Sequence, residues 1–433
     1  MLGISPVRAT VAVVVARTAA AALILGMAAC SGDKTETPAR LQVDDGATLT
    51  LWTRAATETV SKAFADAYNA THKNKVQVTA YPNEEYPAKL ASAAGAKALP
   101  DLFATDVVFA PQYASEGLWL DITDRVNALP FKANLAQAHL RNAVWEEKNY
   151  AVPHTIDMSV MLYNTDLYTK AGLDPAKPPK NLNEFAEHAR KIDALGGDVN
   201  GTYFGGNCGG CNVFTLWPSV WAAGGEVMSA DGMSSTVNSK EMADVFALYR
   251  KLYEEGVAAP AAKDEAGPTW LGALQGGKIG IAPGPSVWLG LIEGKGVKMG
   301  VAPITGMNGG ESTFIGGDSM GIGVTSTKAA QAWDFLSWTM SDEAQVEVVA
   351  KNKGVPFRTD LAANKYSSAD PRIVAINNLV AKGRTPYAKN FNATYNDPQS
   401  PWIATFRGAL FGPDPRKALD EGAAKLTSSL RKS

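Results

Sequence analysis

The chain of 433 residues is short of several things. It holds only three cysteines, too few to staple a fold together. Its four histidines, His72, His139, His154 and His188, never stand at a metal-ligand spacing from one another or from a cysteine. Charge has no dominant sign: 41 lysines and arginines against 43 aspartates and glutamates leave −2, so the basic face of a nucleic-acid binder is missing. No apolar run reaches the ~20 residues that cross a bilayer. There is no G-x-S-x-G elbow and no Walker loop. Gly321-Ile322-Gly323 lacks the third glycine of a dinucleotide fingerprint. No metal, no cofactor and no catalytic residues are therefore expected. Scattered carboxylates leave an extracellular glycoside-acting enzyme as a lesser alternative.

What is present is a well-mixed globular composition, 46% apolar, with ten tryptophans. The first 29 residues differ from the rest. Arg8 and Arg17 precede the apolar run Ala19–Ala29, and no acidic residue interrupts them. This is the form of a signal peptide, residues 1–29. Met27-Ala28-Ala29-Cys30 resembles the lipobox of bacterial lipoproteins, which implies lipidation of Cys30. Two or more acyl chains hold a protein stably on a membrane. The polar stretch 30–45 then reads as a lipid-anchored flexible tether. The expected location is the extracellular face of the cell membrane.

That location bears on Cys208-Gly209-Gly210-Cys211. Outside the cell disulfides persist, no second C-x-x-C exists to close a zinc site, and the surrounding glycines read as a loop. A small structural Cys208–Cys211 disulfide is the expected state.

The mature chain alternates strand and helix patterns. Thr48–Trp52 alternates polar and apolar, and Val60, Phe64, Ala67 and Tyr68 follow at helical spacing. Strands are expected at Val76–Tyr81, Asp101–Thr105, Ser159–Tyr163, Lys278–Ala282 and Gly321–Thr325. Helices are expected at Asn183–Leu195, Ile373–Ala381 and Pro415–Leu430, and in the segment carrying Trp333, Leu336 and Met340. Such alternation implies a parallel-type α/β sheet.

In order and spacing these segments resemble the maltose-type sugar-binding family of extracellular solute-binding proteins that serve ABC importers. The resemblance runs through Thr48–Arg54, Leu99-Pro100-Asp101-Leu102, Ser115–Thr123 and Tyr150–Pro153. It continues through Leu162–Tyr168, Ala171–Leu173, Gly277–Gly280, Pro283–Ser286, Val301–Pro303, Gly316-Gly317, Met320–Val324 and Pro356–Arg358. It implies a two-lobed periplasmic-binding-protein-like fold (type II, maltose-type) with an interlobe ligand cleft and hinge crossovers. Lobe 1 is expected from residues 46–153 plus 303–325, and lobe 2 from 154–302 plus 326–433. The implied function is capture of a mono- or oligosaccharide and delivery to the importer's membrane permease, by a monomer. The alternative ligand is anionic, a glycerophospho compound or a sugar acid.

A sugar ring offers C–H faces to aromatics and a rim of hydroxyls to carboxylates, amides and arginine. Trp52 ends the first strand, where open α/β sheets place ligands. Trp217, Trp221, Trp270, Trp288 and Trp402 lie near turns or segment starts, whereas Trp333 and Trp338 read as helix core. The resemblance places a stacking aromatic at Trp402 and an acidic hydroxyl acceptor at Asp157. It sets Ser286 where some relatives carry a stacking tryptophan, and Glu85 and Tyr86 at the cleft edge. Asp106 follows a strand end, and Asp318 follows Gly316-Gly317. Arg54 and Arg358 are candidates to pair with hydroxyls or with a carboxylate; Arg358 could equally bridge the lobes. His154 reads as a hinge residue. The ligand set is therefore Trp52, Arg54, Glu85, Tyr86, Asp106, Asp157, Trp217, Trp221, Trp270, Ser286, Trp288, Gly317, Asp318, Arg358 and Trp402.

Overall fold

A computed structural model describes residues 43–83 and 85–432. The signal peptide 1–29, Cys30 and all but the last residues of the tether 30–45 lie outside the described residues. No helix among the described residues is long and apolar enough to cross a membrane.

The chain opens with β1 (Thr48–Arg54), whose alternation buries Leu49, Leu51 and Thr53. Helix α1 (Glu58–Thr71) turns Ser61, Phe64, Ala65 and Tyr68 inward. Then come β2 (Lys75–Tyr81), α2 (Tyr86–Gly95) and β3 (Leu102–Asp106). β1 lies between β2 and β3 and runs parallel to both. A long strand β4 (Val152–Asn164) follows. Helix α3 (Leu182–Asp193) starts at Asn181, whose side chain accepts from the Glu184 N–H. Next are α4 (Gly209–Ala222), α5 (Lys240–Glu254), β5 (Ile281–Pro285), β6 (Met299–Ala302) and β7 (Ile315–Ile322). The chain ends with α6 (Ala329–Thr339), α7 (Pro401–Phe411) and α8 (Pro415–Leu430). Proline at the first helical position suits both of the last two helices.

The sheet order is β2-β1-β3-β7-β4-β5, with β6 also on β4. The expected parallel sheet is only partly found. β7 runs antiparallel to β3 and β4, and β4 runs antiparallel to β5 and β6. The reason lies in the connections: β7 enters after the excursion 165–314 and runs back between β3 and β4, which no βαβ crossover does. β4 serves two neighbourhoods. Residues 152–158 pair with β7, and residues 159–164 pair with β5 and β6.

Segment 326–433, expected whole in lobe 2, divides. α6 and residues 344–349 pack on α1, where the Tyr68 ring meets Phe335 and Trp338 and its hydroxyl donates to Asp334. The apolar face of α1 needs a cover, and α6 supplies it. By contrast, α7 and α8 pack against each other, and α7 packs on α4 and α5.

Trp402 sits at the centre of that second packing. It is 0% exposed, its ring lies against Trp217, Phe246, Tyr395 and Phe406, and its Nε1–H donates to the Gly209 carbonyl at 3.2 Å. Trp217 is equally buried in the same cluster. Both were expected to face a ligand; instead they fill the core between α4, α5 and α7. Trp402→Ala should therefore lower stability by ~3–5 kcal/mol, the cost of removing a large buried aromatic. Denaturant unfolding checks this, and a loss within ~0.5 kcal/mol would remove Trp402 from the core.

Candidate functional site

The strand ends converge on a charged cluster. Arg54 is the last residue of β1 and Asp106 the last of β3, so both lie at the C-terminal edge of the parallel strands. On β7, Asp318 stands opposite Asp106 on one side and Thr155 on the other. Asp318 is fully buried, and its Oδ1 accepts from Arg54 Nε at 2.8 Å and Nη2 at 2.5 Å. Its Oδ2 accepts from the Thr57 hydroxyl at 2.7 Å. The third guanidinium nitrogen, Nη1, lies 3.3 Å from Asp106 Oδ2. Burial opposes the charge on Arg54, but the Asp318 and Asp106 carboxylates outweigh it and raise its pKa. Burial likewise raises the pKa of Asp106, against the pull of Arg54. Gly317, next to Asp318, has φ +100 and would put a Cβ 2.1 Å from the Thr155 carbonyl oxygen, so only glycine serves there.

Beside this cluster opens a cavity of about 520 Å³, within the range of small-molecule sites. Its lining takes Arg54, Thr57, Val60, Asp106 and Val108 from the first strands and α1, and Thr155, Ile156, Asp157, Gly316 and Gly317 from β4 and β7. It is also rich in aromatics, Phe214, Trp270, Trp288, Phe314 and Phe391, with Cys211 and Asn396. The Trp270 and Trp288 rings meet edge to face at 5.6 Å.

Asp157 is held for hydrogen bonding. Its Oδ1 accepts from the Met158 N–H at 2.9 Å and from the Ser286 hydroxyl at 3.2 Å. Burial pushes its pKa up to about 6, against the pull of those donors.

Over residues 63–375 the chain matches the family model described as bacterial extracellular solute-binding protein. The chain belongs to this family. Its relatives include the diacetylchitobiose-binding protein DasA of Streptomyces coelicolor, 25% identical over 95% of this chain and 96% of that one. The cyclic α-maltosyl-1,6-maltose-binding protein of Arthrobacter globiformis superposes with TM-score 0.77 at 22% identity, over 89% of this chain and 99% of that one. The sugar-binding protein MalE of Xanthomonas citri gives TM-score 0.77 at 17% identity, over 88% and 97%. The fold is thus the two-lobed, maltose-binding type of periplasmic binding protein.

Several residues singled out in the sequence of this solute-binding protein meet at the cavity: Arg54, Asp106, Asp157, Trp270, Trp288 and Gly317. Asp318 and Ser286 stand behind it, one holding Arg54 and the other holding Asp157. Ser286 is therefore no stacking platform. The remaining candidates do not line the cavity. Trp217 and Trp402 are in the core. Trp221 packs on Phe314 and carries Arg384 over its ring at 5.1 Å. Trp52 meets Tyr81 edge to face. Tyr86 is buried, its hydroxyl contacting the Trp52 and Ala104 carbonyls, so it ties β1 to β3. Glu85 is an exposed residue at the start of α2. Arg358 pairs with Asp342 at 2.9 Å and Asp360 at 2.5 Å and lies 4.2 Å over the Phe131 ring, where its local partners use up its donors. His154 is buried at the crossover with its Nε2 against Ser61 Oγ at 2.8 Å.

Cys208 and Cys211 are joined. The pair does not sit in a loop, however. Cys208 is the N-cap of α4, its sulfur accepting from the Cys211 N–H, so the disulfide starts the helix that carries Phe214. Sequence reading missed Thr57, Thr155, Phe214, Phe314, Phe391 and Asn396. Phe214 carried the only usable signal, three residues beyond Cys211 and one turn into a helix held by that disulfide.

Arg54→Met should cost ~3–5 kcal/mol, because it leaves Asp318 buried without a cation. Adding Asp318→Asn should restore part of that loss, measured as urea midpoints of the two variants. A single variant as stable as the parent would refute the pairing.

Asp157 sets a pH dependence. Its folded pKa, about 6, lies above the ordinary carboxylate value, so it adds stability at low pH and loses it as pH rises through 6. Of the charged groups, Arg54 acts on it and Asp106 shares the cavity lining with it. Asp157→Asn escapes that loss. Relative to the parent, the variant should gain stability between about pH 4 and about pH 7 in thermal melts. A constant difference across that range would contradict this.

Proposed function

We propose that the chain is a lipid-anchored extracellular receptor that captures a mono- or oligosaccharide in this cavity and delivers it to the membrane permease of an ABC importer. One observation carries the reading: aromatic faces and hydrogen-bonding carboxylates line a single cavity at the strand ends. Trp288 and Phe214 suit the C–H faces of a sugar ring, and Asp157 and Asp106 suit its hydroxyls. The ligands named for the relatives, diacetylchitobiose and cyclic maltosyl-maltose, support it. The anchor rests on Cys30 and the sequence before it.

An anionic ligand is disfavoured. Arg54, the cation of the cavity lining, is already bound by Asp318 and Asp106, and both lining acids repel an anion. The protein performs no chemistry in this reading; it works by closing two lobes around the ligand, with the hinge at β4 and β7, so that the ligand favours the closed state.

A thermal-shift screen of the mature protein across neutral mono- and oligosaccharides tests this. A sugar present at about 100 times its dissociation constant should stabilise the fold by ~2.7 kcal/mol. Stabilisation by sugar phosphates or sugar acids, with no response to any neutral or amino sugar, would overturn it.

A further inference from the structure

The charge of the cavity does not balance. Of the described residues that line it, Asp106 and Asp157 are acidic and only Arg54 is basic. Arg54 is shared further, since its Nε and Nη2 are held by the buried Asp318. Two carboxylates, Asp106 and Asp318, thus hold the one guanidinium, and Asp157 is a third acid at the same cavity. Asp157 receives only neutral donors, the Met158 and Val287 N–H groups and the Ser286 hydroxyl. Asp157 therefore lines the cavity as a carboxylate with no cation in contact, Arg54 acting on it only at a distance, and taking such a group out of water is costly unless a cation joins it.

The rest of the lining points the same way. Phe214, Trp270, Trp288, Phe314 and Phe391 present ring faces and edges to the same space. A desolvated cation is attracted to aromatic faces, most strongly to tryptophan.

We propose that the physiological ligand is a cationic sugar, an amino sugar or a related basic saccharide, whose ammonium pairs with Asp157 between the aromatic walls. This rests on the sugar-receptor reading above and narrows it. A neutral sugar would satisfy the hydrogen bonds of Asp157 but leave its charge uncompensated. A sugar acid would add a fourth anion to the three present.

The test is calorimetric titration of the mature protein, at about pH 7, with matched sugars differing at one substituent. Glucose, glucosamine and glucuronate form one series, the galactose equivalents a second, and the α- and β-1,4-linked dimers of each the rest. In the series that binds best, the amino member should bind about tenfold tighter than the neutral one, and the acid weakest. Asp157→Asn, shown to be folded by its melting curve, should bring the amino and neutral members to within a few-fold of each other. Neutral or acidic members binding as tightly as the amino member would overturn the proposal while leaving a sugar receptor. An undiminished amino preference in Asp157→Asn would overturn the role of Asp157. No binding in any series would overturn both readings together.

Discussion

A carboxylate with no exposure to water sets the terms for this structure. Asp318 lies in the middle of the sheet, on a strand flanked by β3 and β4, and it is tolerable there only with a cation and full hydrogen bonding. Arg54 comes to it from the end of β1, Thr57 from the turn beyond, and Thr155 accepts the Asp318 N–H at 2.9 Å. The chain of contacts continues. Thr57 meets Thr53, Ser61 donates to Thr53, and Ser61 meets His154. His154 is buried, and desolvation lowers its pKa to about 4, so it sits neutral in that chain at physiological pH. β1, α1, β4 and β7 are thereby fixed to one another at the point where the cavity opens.

The aromatic side is held differently, by tight packing rather than charge. The disulfide caps α4, and the glycines around it allow neighbouring backbone to come close: a Cβ on Gly206 would lie 2.4 Å from the Ala262 carbonyl oxygen. This positions Phe214 toward the cavity while Trp217 and Trp221, on the following turns, turn into the core and its margin. Part of the cavity lining is polar and pre-paired; part is apolar and shaped by close backbone contact. A ligand with a hydrophobic face and a hydrogen-bonding rim fits such a lining.

How far the sequence revealed this depended on the kind of signal. Strand ends are partly visible from alternation: Asp106 could be placed just past one, but β1 reads as ending at Trp52, two residues short of Arg54, and the glycine pair before Asp318 marked a special backbone. Helix α8 was readable to its ends because Asp414, Pro415 and the apolar spacing agree. Tryptophans were the least readable. Trp402 and Trp288 both begin helices, and nothing local distinguishes one that turns into the core from one that lines the cavity; the difference lies in which distant helices cover each. Arg358 was ambiguous for the same reason: Asp360 is its near neighbour in sequence, but Asp342 and Phe131 come to it from separate stretches of chain. Phe214 offered only its place after Cys211, and Phe314 offered no signal. The antiparallel course of β7 was hidden because alternation reports a strand but not its direction.

The long strand β4 has a consequence of its own. Asp157 stands near the point where its pairing passes from β7 to β5 and β6. Were the strand to bend there, the two ends of one continuous backbone would turn against each other, and a ligand held at Asp157 and Arg54, as proposed, would span the pivot at very short leverage. Small displacements inside the cavity would then be magnified at the outer surface, so that occupancy becomes legible from outside as a change of shape.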